Sequence, residues 1–345
     1  MNQIKPKLKV AILRIFRDAG HPIGSSDIAK ELQDYGYDLS PRTIRLYLQE
    51  LEKDGLVEEA RRGRDGGRGI TPLGVEEIRD AQVVERVGFT AAKVDSLACR
   101  VTFDLTSHKG LIVLNVSVVD QECLERAVYE MIPVFKAGLG MGNYAAIARA
   151  GETLGNYTIP PGKVGIGTVC SVTLNGVLLN ARIPALSRFG GVLETSQGKP
   201  ARFTDVIYYE WSSLDPLEIF IKGGLTSVRK AVTAGLGRIG ASFREVPSAV
   251  ISETQNLHHR LEQIGLGGIL LMGKPNQPLL DFPVQEGRTG IIVTGGLNPI
   301  AAVEESGIST HNIALCTLYP FERLVHYSRL LDRYLLKDPR TSIKE

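Results

Sequence analysis

Apolar positions recur at helical spacing from the start of the chain. Leu8, Ile12, Ile15 and Phe16 mark one face of a helix over residues 5–19, which Gly20-His21-Pro22 stops. Ser25 or Ser26 caps a second helix whose Ile28, Ala29 and Leu32 face the same core. Ser40-Pro41 sets an N-cap followed by proline at the first helical position, so a third helix runs from there to about Asp54-Gly55. After it, Leu56 to Ala60, the tip Arg61-Arg62-Gly63-Arg64-Asp65-Gly66-Gly67-Arg68-Gly69 and Ile70-Thr71 predict a strand, a glycine-rich loop and a return strand. Thr71-Pro72 opens a connector helix to about Glu85 by the same cap-then-proline logic. Three helices and a two-stranded wing make a winged helix-turn-helix.

Beyond residues 87–98 the pattern changes to strands alternating with helices. Strands are expected at Arg100–Asp104, Leu111–Val119, Lys163–Val169, Arg202–Glu210, Leu217–Lys222, Gly268–Met272 and Gly290–Thr294; helices at residues 121–137, Ser227–Ala234 and Ser248–Gln263. Strands that follow directly on strands predict an α/β domain with a mixed, partly antiparallel sheet. The expected domains are therefore a winged helix with its connector over 1–87 and a larger α/β regulatory domain over 88–345.

An internal half-repeat is visible at an offset of 125 residues, where Gly162-Lys163-Val164-Gly165-Ile166 is echoed by Gly287-Arg288-Thr289-Gly290-Ile291. At the same offset Cys170-Ser171 meets Gly295-Gly296, so strand, tight turn and helix recur. Each half then presents a helix N-terminus straight after a strand end, where backbone N–H groups and the helix dipole receive an anion. Two such mouths face to face suit a dicarboxylate. Thr168, Cys170 and Ser171 supply small polar contacts in the first half; Gly295 and Gly296 allow close backbone approach in the second, and Asn298 offers its amide. Ordinary turns and a buried apolar thiol are the competing account of the same spacing.

Charge narrows the partners. Lys and Arg total 40 against 38 Asp and Glu, so net charge cannot support binding of nucleic acid by the whole surface. It is local: Ile44, Tyr47, Leu48 and Leu51 take the buried stripe of the third helix and leave Arg42, Arg45 and Gln49 on another face, with Ser40 and Thr43 at the N-terminus. Arginine forks match guanine edges or phosphates and Gln reads adenine. Arg61, Arg62, Arg64 and Arg68 of the wing suit a phosphate backbone or a minor groove, and the candidate partner is double-stranded DNA.

Other chemistry finds less support. The four cysteines form no CxxC pair, which fits a reducing cytoplasm and no zinc ribbon. His258-His259 has no second pair beside it, so no metal is expected. No GxSxG elbow marks a hydrolase and no catalytic residue is assigned. The longest apolar run, Gly265 to Met272, is far short of a membrane span. Gly235-Leu236-Gly237-Arg238-Ile239-Gly240 matches the dinucleotide fingerprint, giving an alternative as an NADH-sensing repressor or oxidoreductase, but a helix precedes it and an extended segment follows. A third alternative is an RNA-associated factor. Arg182, Arg188 and Arg244 are candidate carboxylate clamps against a surface-charge reading, with Arg244 favoured because it interrupts an apolar stretch.

The winged helix, the Thr71-Pro72 helix and the motifs Gly165-Ile166-Gly167-Thr168-Val169-Cys170-Ser171, Arg188-Phe189-Gly190-Gly191, Ser242-Phe243-Arg244-Glu245-Val246-Pro247 and Gly295-Gly296-Leu297-Asn298-Pro299 together resemble the NrpR family of nitrogen-regulation repressors. The resemblance covers nearly the whole chain. It implies a homodimeric prokaryotic repressor, not an enzyme, that binds inverted-repeat operators and carries no cofactor, with 2-oxoglutarate as its inducing effector. Some members carry two regulatory domains in tandem; this chain has room for one.

Overall fold

A computed structural model describes residues 4, 6–34, 36–59, 67–81 and 88–334. The chain forms two compact units, Met1–Arg86 and Val87–Glu345.

In the first unit, α1 (Pro6–Ala19), α2 (Ser25–Asp34) and α3 (Pro41–Lys53) precede the antiparallel pair β1 (Val57–Glu59) and β2 (Arg68–Ile70), and α4 (Pro72–Ala81) follows. Leu8, Ile12, Ile15 and Phe16 of α1 meet Ile28 and Leu32 of α2, Ile44, Leu48 and Leu51 of α3 and Ile78 of α4 in one buried cluster. Full burial of each such side chain contributes about 1.5–3 kcal/mol. Arg68 also bridges Ile23, with N–H to O distances of 3.1 Å in both directions, so the wing base is three strands wide. Gly67 is required there: a Cβ would lie 2.8 Å from the backbone N of Ile23.

In the second unit α5 (Phe89–Ala98) leads into β3 (Leu111–Asp120), α6 (Leu124–Lys136), β4 (Tyr144–Arg149), the short hairpin β5 (Thr153–Leu154) and β6 (Tyr157–Thr158), β7 (Lys163–Val169) and α7 (Val172–Asn180). Then come β8 (Leu186–Ser196), β9 (Lys199–Tyr208), α8 (Pro216–Lys222), α9 (Val228–Ala234) and β10 (Gly237–Pro247). The chain continues through α10 (Ile251–Gln263), β11 (Ile269–Met272), β12 (Arg288–Thr294), α11 (Asn298–Glu305), β13 (His311–Pro320), β14 (Val325–His326) and α12 (Leu330–Tyr334). Two five-stranded sheets result, ordered β13-β3-β7-β4-β14 and β11-β12-β10-β8-β9. The mixed sheet expected from sequence thus resolves into two, each antiparallel at every pairing. One apolar core runs through both.

The half-repeat is present in the topology. The series β3, 3₁₀ turn, α6, β4, β7, α7, β8 recurs as β10, 3₁₀ turn, α10, β11, β12, α11, β13. The last strand of each series leaves its own sheet: β8 pairs with β10, Phe189 opposite Phe243, and β13 pairs with β3, Thr317 opposite Leu114. The halves therefore exchange strands.

Two expected strands are corrected. Residues 217–222 are helical because Asp215 caps them, its carboxylate accepting from the Leu217 N–H at 2.9 Å with Pro216 in the first turn, and Pro216, Leu217, Phe220 and Ile221 are buried at helical spacing. Residues 100–104 form no strand; Asp104 instead accepts from the N–H groups of Thr106 and Ser107 in a turn, leaving one isolated bridge to Lys109. The glycine fingerprint also stands in the wrong setting for a dinucleotide, since Gly235 (φ +65°) ends α9 and Gly237 opens β10.

Candidate functional site

The DNA-facing candidates stand on α3. Ser40 is extended (φ −69°, ψ 149°), and its hydroxyl accepts from the Thr43 N–H at 3.2 Å and pairs with the Thr43 hydroxyl at 3.0 Å, which fixes where the helix begins. With Ile44, Leu48 and Leu51 turned into the core, Arg42, Arg45 and Gln49 are exposed. Arg45 Nε donates to Ser25 Oγ at 3.3 Å, so the head of α2 braces it. Arg68 is placed differently from the open wing arginine expected. Its Nε and Nη2 both donate to Glu52 Oε2, at 3.1 and 2.9 Å, which fastens the base of the wing to α3. Arg61, Arg62 and Arg64 lie outside the described residues.

In the second unit the two strand-to-helix turns have matching construction. The Cys170 N–H donates to Val113 O at 2.9 Å and the Gly295 N–H to Gly240 O at 2.8 Å. One turn into each helix a side chain grips the same strand: Thr173 Oγ1 bonds both N and O of Val113 (3.0 and 3.2 Å), and Asn298 both N and O of Gly240 (2.8 and 2.9 Å). Asn298 Nδ2 also reaches Leu139 O at 2.9 Å and Thr294 Oγ1 at 3.2 Å. The expectation that Asn298 offers its amide to a ligand is corrected, because three acceptors already compete for its two hydrogens.

The two mouths meet face to face. A Cβ on Gly296 would lie 2.2 Å from Val169 O, 2.8 Å from Asn115 Nδ2 and 3.1 Å from Cys170 Cα, all in the other half; one on Gly295, which does not line the cavity between them, would lie 2.8 Å from Gly240 O of its own half. Cys170, Ser171 and Gly296 line a small cavity together with Asn115, Tyr209, Asp215 and Leu315. Its volume, about 10 Å³, holds one water at most. Thr168 is buried in β7 beside this wall without lining it, and its hydroxyl has no partner.

Behind Ser171 stands Arg244. It is 1% exposed and reaches from β10 across to the other half, where Nη1 donates to Ser171 O at 2.8 Å and to Asn175 Oδ1, and Nη2 donates to Ser171 Oγ at 2.7 Å. Nε has no partner and none of these acceptors is a carboxylate. A guanidinium stays charged at neutral pH even though burial lowers its pKa, so a positive charge sits in the interior facing only neutral dipoles. By contrast Arg188 lies 3.6 Å from the buried Glu245.

Burial acts on the other cavity groups. It pushes the Cys170 thiol up to about 12, which leaves an inert thiol and not a nucleophile. It raises Tyr209, with the Asp215 charge adding to the effect. It also raises the Asp215 carboxyl to about 7, helped by the charge of Glu218 and opposed by the N–H groups of Leu217 and Glu218. Opposite, β13 bulges between Ile313 and Thr317 and holds Leu315 at φ +52°, a costly conformation for that residue. The bulge is fixed by Asn115 Oδ1, which accepts the Leu315 N–H at 3.1 Å, and by Glu218, whose carboxylate accepts the Ala314 N–H. Asn115, Tyr209, Asp215 and Glu218 were not identified from sequence; for Asp215 the cap-then-proline signal was available.

Among the described residues no group of three or more His, Cys, Asp or Glu has the arrangement of a metal site, and no helix is long and apolar enough to cross a membrane.

Comparison with known proteins places both units. Residues 87–326 match the NrpR regulatory domains NRD1 and 2, and residues 10–78 match the ribonuclease R winged-helix domain. The chain is 36% identical over 322 residues to the global nitrogen regulator NrpRI of Methanosarcina mazei, covering 93% of this chain and 98% of that protein. It is 29% identical over 301 residues to the global nitrogen regulator NrpR of Methanococcus maripaludis, covering 87% of this chain and 52% of the other. A crystal structure of a nitrogen repressor-like protein from Methanococcus jannaschii aligns with a TM-score of 0.59 at 27% identity, over 68% of this chain and 97% of that one.

Proposed function

This chain belongs to the NrpR family, and on that premise we propose that it is a DNA-binding repressor of nitrogen-assimilation genes which 2-oxoglutarate releases from its operator. The capped α3, with Arg42, Arg45 and Gln49 outward, supports insertion into a major groove. Two copies reading an inverted repeat satisfy half-sites roughly 34 Å apart, one helical turn of DNA.

The observation that carries the effector half is Arg244. A buried cation without a carboxylate partner is costly, and a diacid entering beside Ser171 supplies the missing charge. The cavity as it stands is too small for a five-carbon diacid. The effector therefore binds a form in which the mouths have parted, and its preference for that form is the driving force for release. A coupling of about 1–3 kcal/mol weakens operator affinity roughly 5- to 150-fold.

Reciprocity provides the test. Operator DNA must weaken 2-oxoglutarate binding by the same factor, so calorimetric titrations with and without operator are expected to differ, and equal effector affinities would rule the mechanism out. Arg45→Ala is expected to weaken operator binding about tenfold in gel-shift titration while leaving effector affinity as it was. Because the winged helix also matches one from a ribonuclease, the same gel shift should include single-stranded RNA; preference for RNA over the duplex would overturn the operator reading.

A further inference from the structure

The cavity that would take a diacid has a carboxylate in its own wall. Asp215 lines it beside Cys170, Ser171 and Tyr209 and is fixed there as the cap of α8, with Oδ1 committed to the Leu217 N–H at 2.9 Å. The surrounding charges come from every neighbouring element. Glu218 stands one turn along α8, bound to the Ala314 N–H of β13, and Lys93 of α5 reaches Ala314 O at 3.5 Å. Cys316 of β13 lies near Lys93 and Glu218, while Tyr209 and Cys170 feel both Asp215 and the Arg244 guanidinium. An incoming dianion beside Ser171 thus meets the Arg244 guanidinium behind that residue and, in the cavity wall, a carboxylate of its own sign.

We propose that Asp215 is a specificity-determining residue of this cavity, its carboxyl group taking one proton from solvent whenever a dicarboxylate binds. The inference rests on the effector reading above. Protonation removes the repulsion and gives the carboxyl group an O–H that can donate to the ligand carboxylate; the charge balance is one ligand dianion and one proton entering together. Burial and Glu218 already hold the Asp215 carboxyl near neutrality, so the required proton is available at physiological pH. Cys170 and Tyr209 are pushed upward and Arg244 stays charged, so none of these three titrates in the same range.

The sign follows from the proton count. Below about pH 6 Asp215 is protonated before the ligand arrives and affinity is flat; above pH 7 each binding event must draw a proton, and Kd for 2-oxoglutarate rises by about tenfold per pH unit. Isothermal titration of the full chain with 2-oxoglutarate between pH 5.5 and 8.5, repeated near pH 8 in phosphate and in Tris, is expected to show this slope and an uptake close to one proton. Asp215→Asn keeps a capping side chain and so keeps the helix; it should abolish the slope and bind more tightly than wild type at pH 8. Glu218→Gln, which removes the neighbouring charge but retains an acceptor for Ala314, should move the onset of the slope to lower pH. A flat wild-type profile, or a slope that survives in Asp215→Asn, overturns the role of Asp215. Absence of binding at every pH is a different result, which removes the effector reading itself.

Discussion

Arg244→Met is expected to weaken 2-oxoglutarate binding on the order of 100-fold while operator affinity in the absence of effector stays at the wild-type value. Methionine fills much of the same volume, and replacing a buried charge by an apolar side chain of similar size is often close to neutral for stability. The lost donors leave Ser171 O, Ser171 Oγ and Asn175 Oδ1 short of partners, which limits that neutrality to about 1–3 kcal/mol of destabilisation. The loss for an anionic ligand is larger, because the positive field behind Ser171 disappears from a site with little water to replace it. Arg244→Lys should be intermediate, since lysine keeps the charge but cannot reproduce a fork that serves two residues at once. Calorimetry and gel shift on the same preparations separate the two affinities. Wild-type effector affinity in Arg244→Met would dissociate the buried cation from ligand capture.

Gly296→Ala should lower stability by about 3 kcal/mol or more, or roughly 6–12 °C in the melting midpoint of the second unit. The added carbon would sit 2.2 Å from Val169 O and 3.1 Å from Cys170 Cα, both backbone atoms of the opposing turn that no rotamer change can move. Gly287→Ala provides the comparison. That glycine has φ +76°, and a methyl group added there would meet nothing within 4 Å, so its penalty is conformational only, about 1 kcal/mol. Thermal melts followed by circular dichroism decide the point: equal losses at the two positions would mean that the mouths are not pressed together at Gly296.

The winged helix was legible because its signals are local. Ser40-Pro41 and Thr71-Pro72 each encode a helix start within two residues, and the Ile44, Leu48, Leu51 stripe leaves one face for Arg42, Arg45 and Gln49. The family models match a winged-helix domain over residues 10–78 and NrpR regulatory domains over residues 87–326. The half-repeat was legible through Gly162 and Gly287, which mark equivalent turns. The same cap-then-proline signal stands at Asp215-Pro216, yet Leu217, Ile219, Phe220 and Ile221 suggested a strand, because β-branched and aromatic residues raise strand propensity over a stretch too short to show a helical period.

What sequence could not reveal was partnership over long separations. Nothing in the Leu186–Ser196 or His311–Pro320 patterns says that each strand joins the other half's sheet, since a buried strand reads alike whichever neighbour it takes. Asn298 looked free for a ligand because its acceptor Leu139 O lies 159 positions away. The cavity wall has the same character: Asn115, Tyr209 and Asp215 come from three separate elements. Arg244 was the exception, visible as a charge interrupting an apolar run.

The strand exchange has a cost during synthesis. The edge of β3 is closed by β13, and the Asn115–Leu315 contact across that seam spans 200 positions. At roughly 5–20 residues per second a ribosome needs about 10–40 s to deliver the missing neighbour. For that interval the nascent chain carries an open, apolar sheet margin that any other growing copy on the same message can dock against.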